Sequence, residues 1–401
     1  MTARHPAPAL ALAGVMMVTS PAGGHQHTPA PPVVIPFELT HEHILVRARI
    51  AGDSVWLIVD TGSGLSSLDA EWAAAHGVRP AEGQAQVIGS GSVRASLAPV
   101  AAIALPGLEL RDRTVVLIPF ADVSRAHGRP IGGALGFDFL SQYVVEIDYA
   151  ARRLTLRDPA GYEYAGRGTV VPVSLALRTP IVAATVTPRG APPIPARLIL
   201  DTGSASLGIR LTTPFVEAHP EVRAGGPLLD APLGVGIGGW AFGHVTRLAE
   251  AQLGALVIPA PVAGLGKEKT GFFGVTFADG TIGAPVLSRT TLILDYTRER
   301  VIVEPGPDFD RPYEYEMSGL TVMRSADLAT VVAELVADGS PAAEAGVRAG
   351  DEIVAVDGRP ATSLAPDELD RVLRADGRNV RLTLRRVGQV LDRRMHLRRR
   401  V

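Results

Sequence analysis

The heptapeptide LIVDTGS at residues 57–63 has a near-copy, LILDTGS, at residues 198–204. In each copy three apolar residues, a pattern typical of a buried strand, run directly into an aspartate. A carboxylate at the end of a buried strand costs free energy unless it has a partner. Because a duplicated chain can fold about a pseudo-twofold axis, the copies predict that Asp60 and Asp201 meet there, share a proton and activate one water.

A second block repeats behind each aspartate. Residues 134–141 read ALGFDFLS, residues 281–288 read TIGAPVLS, and an apolar run that ends in Asp-Tyr follows both. Chance repetition of a short motif does not bring a matched second block at a similar distance, and such repeats decide the fold. We therefore predict a mostly β protein with two homologous β lobes, at residues 34–160 and 168–306, around a pseudo-twofold cleft. A linker is predicted at residues 307–315.

Composition agrees with short strands and many turns. The chain has 401 residues, enough for two or three domains, and 46% of them are hydrophobic. The 43 glycines and 32 prolines, with only 5% aromatic residues, favour turns over long helices. The net charge of -2 gives no global field toward nucleic acid or anionic lipid. The absence of cysteine excludes disulfides, thiol catalysis and thiolate metal sites.

The N-terminus reads as a secretory signal peptide at residues 1–24, followed by a polar, Pro-rich linker at residues 25–33. Its apolar stretch is too short to span a bilayer as a helix, and no later segment qualifies. We expect an exported protein, periplasmic or extracellular, with no membrane span. A disordered Ala/Pro-rich leader is the alternative interpretation.

Residues 316–401 have a different pattern and predict an α+β domain. Ser340 and Pro341 occupy the N-cap and first-turn positions of a short helix. Strand-like runs lie at residues 331–336 and 352–356, and residues 364–373 are apolar at helical spacing.

Two carboxyl groups in contact can hydrolyse a peptide bond without metal, serine or cysteine chemistry. Because like charges so close cannot both ionise, one group stays protonated. The charged group serves as general base on water, and the neutral one donates a proton to the carbonyl oxygen. The titration belongs to the pair, so neither role is assigned to Asp60 or Asp201 from the sequence.

The three residues after each aspartate fit this chemistry. Glycine allows a tight turn and lets backbone amides approach the carboxylates. We expect the threonines to hydrogen-bond across the lobe junction and the serine hydroxyls to donate to the outer carboxyl oxygens, which favours the ionised form. The predicted supporting residues are Thr61, Gly62, Ser63, Thr202, Gly203 and Ser204.

With these motifs the chain resembles the retropepsin-like aspartic proteases of the pepsin and retropepsin clan, in a single-chain, two-lobe bacterial form. Viral relatives build the site from two chains, whereas this chain carries both halves, so a monomer is sufficient and the oligomeric state stays open. The resemblance implies no cofactor or metal, a polypeptide substrate held extended in the cleft, and hairpin flaps above it. Candidate flap residues are Gly89, Ser90, Gly91, Gly236, Gly238 and Gly239.

The last segment resembles a bacterial PDZ domain through SPAAEAG at residues 340–346 and RAGDEI at residues 348–353. That resemblance implies capture of peptide C-termini by β-augmentation. The carboxylate would be held near Ser318, Gly319, Leu320 and Thr321. A rigid spacer without a ligand is the alternative for this domain.

Other interpretations remain open for parts of the chain. The whole protein could be a non-enzymatic peptide-binding or adaptor protein on a protease-like scaffold. His41-Glu42-His43 could chelate a metal, although no third ligand is evident, which favours solvent-facing residues of the first strand. The glycine-rich run at residues 234–239 lacks a following helix and is rejected as a nucleotide loop.

Overall fold

The computed structural model describes residues 31–81 and 84–401. The predicted signal peptide and residues 25–30 of the predicted linker lie outside this range. Of the residues that the structure describes, 46% are in strands and 15% in helices, which confirms the mostly β prediction. Within the described residues, no helix combines the length and apolarity needed to cross a bilayer.

Lobe 1 extends from the first strand to residue 157 and contains short helices between long hairpins. Its strands are β1 Val33–Pro36, β2 Glu38–Thr40, β3 His43–Ile50, β4 Asp53–Val59, β5 Ser67–Asp69, β6 Gln84–Ile88, β7 Ser92–Leu105, β8 Leu108–Ile118, β9 Gly133–Leu135, β10 Val144–Asp148 and β11 Arg153–Arg157. Its helices are α1 Ala70–Ala75, α2 Ala121–His127 and α3 Phe137–Leu140.

Lobe 2 repeats this plan. Its strands are β12 Thr169–Ser174, β13 Ile181–Thr187, β14 Ile194–Asp201, β15 Ile209–Leu211, β16 Leu229–Gly236, β17 Gly239–Arg247, β18 Glu250–Leu253, β19 Leu256–Pro259, β20 Val262–Gly266, β21 Gly280–Gly283, β22 Thr290–Asp295 and β23 Arg300–Pro305. Its helices are α4 Thr213–Ala218 and α5 Ala284–Leu287. Short 3-10 helices lie at Pro159–Gly161, Pro220–Arg223, Phe272–Gly274 and Tyr296–Arg298.

A shared sheet joins the lobes with twofold symmetry. Its order is β1-β11-β10-β22-β23-β12, so the duplicated strands β10 and β22 pair at the centre. Val145 lies opposite Leu294, and Ile147 lies opposite Leu292. All four side chains are buried, so the pairing fixes the two lobes to each other through a common core.

Within each lobe the aspartate-bearing strand pairs in parallel with the strand of the second repeated block. β4 pairs with β9, and β14 pairs with β21. The short strands β5 and β15 then pair antiparallel with β9 and β21. Each aspartate-bearing strand therefore has a paired strand on both sides, and its end lies inside the sheet instead of at an edge.

The C-terminal domain contains a six-stranded sheet and two helices around its own apolar core. Ser340 caps the first helix by accepting a hydrogen bond from the Ala343 amide, as the sequence predicts. Its elements are β24 Leu320–Arg324, β25 Val331–Val336, α6 Pro341–Glu344, β26 Glu352–Val356, β27 Arg359–Pro360, α7 Pro366–Leu373, β28 Asn379–Arg386 and β29 Gln389–His396, with a 3-10 turn at Ala361–Ser363.

The segment predicted as a linker before this domain packs against the lobes. It contains no strand, but Phe309 and Tyr313 are buried in the core cluster of the two lobes. The Arg289 guanidinium lies 3.8 Å from the centre of the Tyr313 ring. The segment therefore holds the C-terminal domain close to the lobes instead of separating them.

Candidate active site

The two repeated aspartates lie at the ends of the parallel strands. The Asp60 amide donates to the Leu135 carbonyl at 3.0 Å, and Asp201 pairs in register with Gly283. A Cβ added at Gly136 would lie 2.7 Å from the Ser63 carbonyl oxygen, and one at Gly283 would lie 2.5 Å from that of Ser204. Each glycine therefore lets its strand pass directly behind the aspartate loop.

The threonines cross the lobe junction and lock the two loops together. The Thr61 hydroxyl donates to the Leu200 carbonyl at 2.6 Å, and the Thr202 hydroxyl donates to the Val59 carbonyl at 2.7 Å. Each threonine amide also donates to the other's hydroxyl oxygen, both at 3.0 Å. Both residues are buried, so this four-bond network has no water competing for its partners.

The glycines of the two motifs bring the carboxyl groups together. A Cβ added at Gly62 would lie 2.6 Å from Asp201 Oδ1, and one at Gly203 would lie 2.5 Å from Asp60 Oδ1. Each carboxyl therefore rests against the opposite loop at a distance that only glycine allows. The Gly62 and Gly203 amides each donate to the aspartate of their own loop, at 2.9 and 3.0 Å.

The two carboxyl groups lie close enough for the ionisation of one to depend on that of the other. Burial, followed by the charge of Asp201, raises the pKa of Asp60 to about 7. Burial also raises the pKa of Asp201, while the nearby Arg210 guanidinium opposes that shift. Burial and the nearness of the two charges therefore favour a pair that holds one proton, which is the state that general acid–base hydrolysis requires.

The predicted role of the serine hydroxyls is wrong. The Ser63 hydroxyl donates to the Leu65 carbonyl at 2.7 Å instead of to a carboxyl oxygen. The Ser204 hydroxyl is buried and has no hydrogen-bond partner within the described residues. The backbone amides of Ser63 and Ser204 donate to the main-chain carbonyls of Asp60 and Asp201, at 3.3 and 3.2 Å, because the turn after each aspartate is tight.

Arg210 lies beside Asp201 and was not singled out from the sequence. Its Nη2 atom is 3.5 Å from Asp201 Oδ2, and the two side chains are 13% and 14% exposed. No local motif marks it, because it follows Asp201 by nine residues and is brought back by the turn into β15.

The candidate flap residues lie at the tips of two hairpins that touch. Gly89, Ser90 and Gly91 connect β6 to β7, and residues 236–239 connect β16 to β17. The Gly91 amide donates to the Ile237 carbonyl at 3.1 Å, across the two hairpins. A Cβ at Gly91 would lie 2.6 Å from the Gly238 carbonyl oxygen, so the contact is tight.

The histidines of the first hairpin are part-buried and pack against other residues instead of simply facing solvent, so that expectation is wrong. His43 Nε2 lies 2.9 Å from the Gly203 carbonyl, and its Nδ1 lies 3.0 Å from His127 Nε2. Burial lowers the pKa of His43 to about 4, so the ring is neutral above that pH and supports the Asp201 loop from behind. Among residues 31–81 and 84–401, no group of three His, Asp or Glu side chains has a metal-binding arrangement.

The predicted carboxylate-binding loop of the C-terminal domain already holds a carboxylate. Glu316 Oε2 accepts from the amides of Ser318 and Gly319, at 2.9 and 2.7 Å, and from the Ser318 hydroxyl at 2.8 Å. Its Oε1 atom lies 3.0 Å from Arg400 Nη1. Ser318, Gly319 and Leu320 are buried. Glu316 thus occupies the position expected for a peptide C-terminus.

Lobe 1 also covers the sheet edge of this domain. β24 lies at one end of the sheet, where β-augmentation would add a strand. Arg125 of α2 donates to the Arg324 carbonyl at 2.9 Å and pairs with Glu334 at 2.5 Å. His41 lies 2.9 Å from an oxygen of Asp370 in α7, an interaction that raises the pKa of His41 against the effect of burial.

Comparisons with known proteins identify two regions of the chain. Residues 46–139 match the family model described as aspartyl protease, and residues 332–386 match a PDZ domain model. Among curated proteins, none matches this chain. A solved aspartic proteinase from Irpex lacteus is similar, with 11% identity over 70% of this chain and 99% of its own, and a TM-score of 0.44.

These matches fall on the two regions whose motifs carry the resemblance. The first contains Asp60 and the repeated block around Gly136, and the second contains α6 and its cap. The chain thus combines an aspartyl protease-like region with a C-terminal PDZ domain, which confirms the resemblance predicted from the sequence.

Proposed function

We propose that this protein is an aspartic endopeptidase in which Asp60 and Asp201 activate one water molecule to hydrolyse a peptide bond. The observation that carries the proposal is that each carboxyl group packs against the glycine of the opposite loop, which brings the two groups near enough for their ionisations to be linked. A protease-like scaffold alone does not require two buried acids in contact, because this arrangement costs free energy.

The reaction needs no group beyond the pair. One carboxylate takes a proton from water as the oxygen attacks the carbonyl carbon, and the neutral carboxyl gives its proton to the carbonyl oxygen. The resulting diol then breaks its C–N bond. The first carboxyl returns its proton to the leaving nitrogen, and the second recovers one from the diol, so the pair ends with a single proton.

An extended polypeptide segment is the substrate that fits beneath the two hairpins. The bond between Gly91 and Ile237 joins the two tips. If they lie over the carboxyl pair, as the resemblance implies, they have to separate before a chain enters. Glycine-rich tips favour this motion because they restrict the backbone least. No cofactor has a role in the proposed reaction.

The variants Asp60→Asn and Asp201→Asn test this function. Each removes a proton-transfer group while keeping its shape, so cleavage of a denatured protein should fall by about 10²–10⁴-fold or more. Asp53→Asn is the control, because that carboxylate is in the same lobe and 64% exposed. Full activity in either dyad variant contradicts the proposal.

Inhibitor binding separates this function from a peptide-binding adaptor. A statine-type transition-state mimic should bind the wild-type protein and lose affinity in both asparagine variants, as measured by calorimetry. An adaptor would bind peptides equally in all three proteins and cleave none of them.

For the PDZ domain, the proposal is that peptide C-termini bind only when Glu316 leaves the Ser318–Gly319 amides and lobe 1 moves away from β24. Two carboxylates cannot share these donors, so the internal one makes the site conditional. Glu316→Gln should raise the affinity for a short C-terminal peptide, measured by fluorescence anisotropy, relative to Glu314→Gln. Equal absence of binding in both variants favours the spacer interpretation.

Export is also proposed, on the composition of residues 1–24 alone. The test is N-terminal sequencing of the protein after expression in a bacterium with a periplasm. Cleavage near residue 24 and recovery from the periplasm support export, and an intact N-terminus in the cytoplasm contradicts it.

A further inference from the structure

The carboxyl pair has a positive charge on one side. Arg210 approaches Asp201 at 3.5 Å, and both side chains are largely buried. Its Nε atom donates to the Thr281 hydroxyl at 3.4 Å. Because low-dielectric surroundings strengthen its electric field, a buried guanidinium beside a carboxyl pair favours the ionised form of the nearer carboxyl.

The corresponding position of lobe 1 carries no charge. Arg210 lies opposite Thr281 in β21 and Gly264 in β20, and Ser67 lies opposite Ala134 in β9 and Val116 in β8. Ala134 and Thr281 each stand two residues before the repeated glycine, so the sheet registers match. The pseudo-twofold axis therefore relates a buried serine to a buried arginine.

Aromatic rings hold the guanidinium in place and shield it. Its carbon lies 5.4 Å from the centre of the Phe272 ring and 5.7 Å from that of Phe273. Phe273 is fully buried. The Phe272 amide donates to the Gly89 carbonyl at 2.9 Å, so this shielding segment also contacts a hairpin tip. Arg210 is thus built into the cleft instead of reaching in from solvent.

We propose that Arg210 gives the two aspartates fixed roles: Asp201 carries the charge and takes the proton of water, and Asp60 holds the shared proton and gives it to the substrate carbonyl. Arg210 acts through Asp201 and is therefore a positioning residue. This inference rests on the proposed function and adds to it which aspartate is the base and which is the acid.

The other titratable groups that face the site do not reverse this assignment of the charge to Asp201 and the proton to Asp60. His43 lies behind the Asp201 loop and is neutral above about pH 4, because burial lowers the pKa of its ring. Burial, followed by the charge of Asp60, raises the pKa of Tyr296, so its hydroxyl stays neutral. The pKa of Asp60, raised to about 7, agrees with its role as the proton holder.

The pH dependence of kcat/KM tests the inference. In the wild type the acid limb reports the first ionisation of the pair, which is that of Asp201. Arg210→Gln removes the favourable charge, so this limb should move up by about 1–3 pH units. Arg210→Lys keeps a charge and should restore most of the shift. Arg197→Gln is the matched control, because Arg197 is in the same lobe but pairs with Asp279.

A profile of Arg210→Gln that superimposes on the wild type, in a protein with a normal melting temperature, overturns the inference and leaves the proposed function standing. If Arg210→Gln does not fold, Arg210→Lys decides, because it keeps the positive charge. An acid limb that moves up by about 1–3 pH units in the lysine variant would contradict the charge effect.

A second readout does not depend on cleavage. In Asp60→Asn protein, carbon-13 NMR of labelled aspartate should show that adding Arg210→Gln raises the pKa of Asp201 by a similar amount. If the wild-type protein is inactive but this shift is still seen, the proposed function is wrong and the effect of Arg210 on Asp201 stands. If the pKa of Asp201 does not shift, the inference about Arg210 is wrong.

Discussion

Lobe 1 and lobe 2 contribute the same backbone to the site and different charges. Both supply an Asp-Thr-Gly-Ser turn, a crossing threonine and a glycine that faces the opposite carboxyl. Only in lobe 2 does the short strand after the turn place an arginine against the aspartate, where lobe 1 has Ser67. The comparison shows that backbone symmetry assembles the pair, while a side-chain difference decides which carboxyl keeps the proton.

The facing glycines should show the symmetry most strongly. Gly62→Ala and Gly203→Ala each put a methyl group into the opposite carboxyl, so each should reduce kcat by about 10²-fold or more. Gly64→Ala is the control, because its Cβ would meet the nearest atom at an ordinary 3.4 Å. Steady-state kinetics checks this, and a large difference between the two glycine variants would break the symmetry of the site.

The crossing threonines should also give matched effects, on stability. Thr61→Val and Thr202→Val each leave a buried carbonyl without its donor, which should cost about 1–3 kcal/mol in the free energy of unfolding. The serine variants keep the hydroxyl and should lose less. The double valine variant should cost less than the sum, because both threonines belong to one network. Additive losses in urea unfolding would contradict a shared network.

The pH dependence of stability should reveal the asymmetry. The folded-state pKa of Asp60 is raised to about 7, so its favourable contribution is present at acid pH and is lost as the pH rises from about 4 to about 7. Asp60→Asn removes this titration, so its stability relative to the wild type should rise over that range by up to ~4 kcal/mol.

Asp201→Asn should show a weaker trend, because Arg210 opposes the effect of burial on Asp201. Chemical unfolding at a series of pH values measures both. Equal slopes for the two variants would remove the basis for ranking the carboxyls.

The smallest predicted effect concerns the side of lobe 1 that contacts the PDZ domain. Glu334→Gln breaks the ion pair with Arg125, whose side chain is 20% exposed, and should weaken docking by ~1 kcal/mol. Hydrogen exchange in α2 and β24 should then quicken. Glu352→Gln is the control, because its partner Arg385 lies within the domain. Unchanged exchange would mean that the ion pair does not hold the domains together.

Within the two lobes, the features that repeat can be predicted from the sequence, and those that do not repeat cannot. The two motifs, the crossing threonines and the strands behind them follow from a local pattern that occurs twice. Arg210 and Ser67 stand nine and seven residues after their aspartates, so the insertion in lobe 2 hides their equivalence until the strand register is known.

Tertiary contacts also explain the two wrong expectations and one surprise. The Ser63 hydroxyl turned to Leu65, and His43 was buried, because the turn and the opposite lobe offered nearer partners. Glu316 enters the loop predicted to hold a peptide carboxylate, although no sequence pattern marks Glu316 as its occupant. Such contacts depend on the direction that the chain takes after a turn. Composition and hydrophobic periodicity do not specify that direction.

A neutron crystal structure at about pH 5 tests the central claim most directly, because it locates the protons. The account predicts one deuteron within the carboxyl pair, bound to Asp60, and one water held between the two groups. Two separate deuterons, none, or a single one bound to Asp201 beside Arg210 would contradict it.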